Sequence, residues 1–185
     1  MMTGPIDLAP GESVLFISQG GTHEQDERFL EVLKETWQLV PPDSRKAILG
    51  FYGKRFNGWP VVRLAPLGGA ATAGGPTDPF MLWFDSSTIL NWPRGKHDAA
   101  LVIAEDLAHA FMVAVQHPSH MQDPPNNDKP SPEYLAWDTA REDAMKEVLF
   151  SWPFVDRADH ETLIAAVAEK ARSMREHGQA TRDGN

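Results

Sequence analysis

The most continuously apolar stretch of the chain runs from Asp98 to Gln116. Leu101, Ala104, Ala108, Phe111, Met112 and Val115 recur at three- and four-residue spacing, the period of a helix. Most positions between them are Ala or Val. A helix apolar nearly all round belongs in the middle of a domain. The spacing therefore predicts a central helix, with Leu107 and Phe111 in the core.

Other patterns are shorter. Ser13–Ser18 reads as a short strand after a Pro- and Gly-bearing arm, and residues 1–22 as a whole are expected to be an N-terminal arm. Thr22 is a candidate helix cap. Phe29, Leu33 and Trp37 fall at i, i+4 and i+8 and predict a helix over His23–Val40, stopped by Pro41-Pro42. Asp43 or Ser44 is expected to cap a second short helix to Tyr52. Val61–Leu64 and Phe80–Phe84 read as strands, separated by the small-residue segment Gly68–Pro76. Thr88–Trp92 reads as a short helical turn. His117–Pro132 is polar and Pro-rich and reads as a loop. Glu133–Trp152 predicts a helix, and a last helix begins at Asp156 or Asp159, with Leu163, Ile164, Val167 and Ala171 on one side. The pattern implies one α+β domain over residues 23–178, with a frayed tail at 179–185.

Composition narrows the partners. The 185-residue chain is long enough for a core of its own, and 42% of it is hydrophobic. It has no cysteine, so any metal must be held by His, Asp, Glu or carbonyl oxygen, and a reducing, cytoplasmic setting is expected. A formal net charge of -9 argues against nucleic acid or an anionic membrane as partner. A protein or peptide partner is expected instead. Met1–Pro10 has neither a basic region nor an apolar run, so no signal peptide is read. The six tryptophans have no basic stripe beside them and read as packing residues.

The apolar helix carries an anomaly. Glu105, Asp106 and His109 sit at its centre, where an unpartnered charge is costly. Glu105 and His109 are i and i+4, one turn apart on one face. That is the spacing of the helical zinc motif His-Glu-x-x-His, which reads here as Glu105-Asp106-Leu107-Ala108-His109. The same spacing also suits a plain structural ion pair. His117 and His120 read as loop surface, since Pro118 breaks helical spacing. His23, His97, His160 and His177 have no partner legible in the sequence.

Three stretches give the chain a family likeness. Phe80–Leu90, Ala104-Glu-Asp-Leu-Ala-His-Ala-Phe111 and Glu142–Phe154 together resemble the small zincin-type metallopeptidases, the minimal gluzincin-like domains found in many bacteria and phages. The family's active-site helix typically reads Ala-His-Glu-Leu-Ala-His-Ala-Phe. The resemblance covers residues 80–154 and implies a zincin-like α+β fold, with an active-site-type helix beside a small sheet and flanking helices. It places His109 as the second zinc histidine and Glu142 as the third ligand. Glu105 stands where the first zinc histidine belongs, and Asp106 where the catalytic glutamate belongs. Glu142, with Arg141 and Lys146 nearby, also reads as a solvated charge.

Both departures touch the chemistry. A Glu105, His109 and Glu142 site has one imidazole and two carboxylates, which shifts preference from zinc towards harder divalent ions at low occupancy. Asp106 is one methylene shorter than Glu, about 1.5 Å less reach towards a bound water. Without metal, the carboxylates favour a charged His109, and a hydrogen-bonded cluster takes the metal's place. Three functions follow from these residues: a degenerate zincin, silent or weak in catalysis, acting as a binding or regulatory module; an active metal-dependent peptidase with a Glu-His-Glu site; or an acidic interaction module unrelated to zincins.

Overall fold

A computed structural model describes residues 3–54, 58–65, 81–86, 95–116 and 131–169. The expected small-residue segment Gly68–Pro76, the turn Thr88–Trp92 and the frayed tail lie outside them. So do the 117–130 part of the expected loop, His117, His120 and His177. The fold is α+β. Strands β1 (Thr3–Ala9), β2 (Glu12–Ser18), β3 (Val61–Ala65) and β4 (Met81–Asp85) form one sheet in that order. β1 and β2 pair antiparallel, while β2, β3 and β4 run parallel.

Ser13–Ser18 is a strand as expected, within β2, but β1 corrects the expectation of a loose arm before it. The arm reading rested on Pro5, Pro10 and the glycines as breakers. β1 is an edge strand, where a missing N–H is tolerated, and Pro5 pairs there with Leu15. Pro10-Gly11 makes the two-residue connection between Ala9 and Glu12, with Gly11 at φ +77°. Glycine reaches that conformation without a Cβ clash.

Helices α1 (His23–Leu39) and α2 (Pro42–Tyr52) join β2 to β3. Thr22 caps α1 through a reciprocal pair: its Oγ1 accepts from the Gln25 amide at 3.2 Å, and the Gln25 side chain accepts from the Thr22 amide at 2.9 Å. Pro42 does more than end α1. It occupies the first turn of α2, where its fixed φ is pre-organised, so α2 begins before Asp43 and has no side-chain cap.

On the sheet, Phe16, Val62 and Leu82 share one row across the register, and Ser18, Leu64 and Phe84 share the next. All six are buried. Phe29 of α1 lies on these rows, its ring 5.9 Å from Phe16 and 5.3 Å from Phe84.

Helix α3 (Lys96–Gln116) is the central element. It packs against α1, α2, β4 and the following helix α4 (Pro132–Ser151). Leu101, Ala104, Leu107, Ala108 and Met112 are buried as the spacing predicts, but Phe111 is half-buried and Val115 exposed. Lys96 ties the start of α3 to α1, with Nζ 2.8 Å from both Glu31 and Glu35. Ser131 caps α4 by accepting from the Tyr134 amide at 3.1 Å. Residues 157–169 form helix α5, whose first turn is capped by Asp156, Oδ1 accepting from the Asp159 amide at 3.0 Å. Trp37 and Trp152 are core residues, whereas Trp59 is 44% exposed, unlike the packing role expected of every tryptophan. Among the described residues no helix is long and apolar enough to cross a membrane.

Candidate metal centre

The Glu105, His109 and Glu142 side chains converge. One ligand atom from each lies within 4.8 Å of the other two. Glu105 and His109 come from one face of α3 by helical spacing alone, and Glu142 comes from α4, which packs on α3. His109 Nε2 is 3.6 Å from Glu142 Oε1. All three are partly buried, in a site neither sealed from water nor open to it.

Each carboxylate has a further neighbour. Arg141 Nη2 donates to Glu142 Oε1 and Asp138 Oδ1, both at 3.1 Å. Its guanidinium lies over the Trp137 ring, 5.2 Å from the centroid, and Trp137 in turn sits 5.9 Å from Tyr134. An aromatic and cationic ladder therefore leads along α4 to Glu142. Burial raises the Glu142 pKa, Arg141 opposes that rise, and the charges of Glu105 and Asp138 add to it. Glu142 is thus a partly exposed charge that pairs with Arg141 and also lies close to His109.

The Glu105 partner was not legible. His160 Nε2 lies 2.8 Å from Glu105 Oε2, with the His160 side chain 3% exposed. Fifty-five residues separate the two, and no motif links them. The only sequence signal was a histidine one turn before Leu163 on the apolar side of a helix. Two other histidines also gain acidic neighbours: His23 lies 3.2 Å from Glu27, and His97 lies 3.1 Å from Asp159.

Asp106 is not part of the convergent group. Being one residue on, it is turned about 100° round α3 from Glu105. It is buried, 5% exposed, and its Oδ2 has no hydrogen-bond partner. Burial first, then the charges of Glu105 and Asp85, push its pKa well above the usual carboxylate range. Asp85, at the end of β4, is itself fully buried.

The donor set fits a divalent cation in kind and nearly in spacing. Zinc bonds to imidazole nitrogen and carboxylate oxygen are about 2.0–2.2 Å, so donors arranged tetrahedrally on one ion lie about 3.5 Å apart. His109 Nε2 and Glu142 Oε1, 3.6 Å apart, already stand at about that spacing, and the other separations, all within 4.8 Å, would have to close by at most about 1.3 Å. Glu105, His109 and Glu142 would hold the ion. No protein family, curated protein or solved structure matches the chain.

Proposed function

We propose that this chain is a zincin-like domain that has lost efficient peptidase chemistry and works as a binding module for a protein or peptide. Its Glu105, His109 and Glu142 cluster takes a divalent cation weakly. One observation carries the proposal: the burial of Asp106. A general base needs an ionised carboxylate within about 3 Å of the proton it abstracts. At the position where the family resemblance puts that base, the carboxyl is buried and held towards its neutral form. The cluster itself supports weak chemistry, because a carboxylate in place of one neutral imidazole would leave a metal-bound water less acidic. The Tyr134, Trp137 and Arg141 ladder beside Glu142 supports a peptide partner, since aromatic and arginine side chains are favoured anchors at interfaces.

The convergence of three donors favours a second reading, a working Glu-His-Glu metallohydrolase. A double reversion, Glu105→His with Asp106→Glu, separates the two. Zinc content and cleavage of unstructured peptides are measured for both proteins. Tight zinc in the revertant and little in the native chain is the expected result. Robust, chelator-sensitive cleavage by the native chain would overturn the silent reading. Absence of metal from both proteins would leave an acidic interaction module with no zincin heritage.

A further inference from the structure

We infer that His160 is a positioning residue for the cation site, holding Glu105 Oε2 so that Glu105 presents its other oxygen, Oε1, to the centre shared with His109 and Glu142. The inference rests on the cation-site reading above and adds a residue that neither the zinc motif nor the convergent triad contains.

Three observations point to it. The first is where α5 uses its buried positions. Of residues 157–169 only His160 and Leu163 are buried. One of the two anchors of this helix is therefore an imidazole, which in a core demands a partner. The second is the contact itself. A carboxylate only accepts, which assigns the hydrogen to Nε2 of His160, donating to Oε2 at 2.8 Å. The third is that the ring is fixed from behind. Phe150 meets it edge to face, 5.3 Å between centroids at 81°, and the Arg157 guanidinium lies 4.2 Å over the Phe150 ring. The donor is thus set by packing from α4 and α5 before any ligand arrives.

The consequence for a cation is specific. A glutamate has a long side chain and loses rotamer freedom when it is ordered. With Oε2 occupied, Glu105 is already ordered and is steered to bind through one oxygen instead of two. Partners that orient metal ligands typically contribute about 10–100-fold in metal affinity. His160 is expected to act in that range.

The test compares His160→Gln, His160→Asn and His160→Leu with the native chain. A Gln amide nitrogen can reach the place of Nε2, an Asn amide falls short of it, and Leu has no donor. Zinc affinity is read by calorimetry in a non-coordinating buffer, and the visible spectrum of the cobalt-loaded protein reports ligand geometry. Melting in EDTA reports the fold alone. The Gln variant is expected to bind zinc within about threefold of native, with the native cobalt spectrum. The Asn and Leu variants should lose about 10–100-fold. In a Glu105→Ala background, replacing His160 should change zinc affinity no further. If the Leu variant does not fold, the contrast between Gln and Asn decides. Affinities that follow the EDTA melting temperature instead of the donor would overturn the positioning role. So would His160 variants that bind like native while Glu105→Ala does not. No zinc uptake by the native chain would overturn the cation site, and the role of His160 with it.

Discussion

Asp106 combines a position expected for catalysis with the environment of a core residue. An unfolded aspartate titrates near about 3.9, and in the fold its pKa is raised, by burial before any charge. Between the two values the folded chain holds a proton that the unfolded chain has lost. Stability contributed at this position therefore falls as pH rises through that window. Asp106→Asn, of the same shape and never ionised, escapes the loss. Relative to native it is expected to gain stability progressively above about pH 4 and to differ little below it, as read from urea unfolding at several pH values. Identical pH profiles would contradict the assignment. The residue spacing made Glu105 and His109 legible as a pair, because helical periodicity is a local property, whereas Glu142 joined them only through the family resemblance. Spacing could not show whether Asp106 faced that group or the core, because a turn of about 100° round a helix is resolved only by what packs there.

At the scale of elements, the central helix was legible and its weighting was not. Leu107 is fully buried, whereas Phe111 is half-buried. Leu107→Ala should cost about 2–5 kcal/mol, and Phe111→Ala less than the full-burial value for phenylalanine of about 3–5 kcal/mol. Chemical unfolding of both variants checks the order. In the N-terminal hairpin Pro5 is an edge-strand residue and Pro10-Gly11 a turn, so Pro and Gly there do not mark a loose segment. Glu12, the first residue of β2, fastens that hairpin to the helices. Its Oε2 accepts from Trp37 Nε1 at 2.6 Å and its Oε1 from Arg45 Nε at 3.2 Å. Arg45 also donates to the carbonyls of Gln38 and Val40, at 3.2 and 3.0 Å, closing the end of α1. Glu12→Ala removes the carboxylate partner of the buried indole and the part-buried guanidinium. The expected destabilisation is about 1–3 kcal/mol, measurable as a lower urea midpoint with an unchanged slope.

For the molecule as a whole, the sequence supported an α+β chain with a buried helix between a small sheet and further helices. Periodicity carried that much, because each amphipathic face needs a partner. Strand order and direction were not legible: three parallel strands and one antiparallel edge depend on how α1 and α2 cross the sheet, which no local pattern records. The described parts of the candidate site also divide unevenly. Glu105, His109, Glu142 and His160 all come from α3, α4 and α5, while the sheet supplies none of them. A ribosome delivers Glu105 well before its partner, since 55 residues separate it from His160. At about 5–20 residues per second that interval is roughly 3–11 s. Throughout it, the carboxylate must stay hydrated or find a substitute. The pair can close only when α5 docks, so the Glu105–His160 contact reports the docking of the last described helix onto α3.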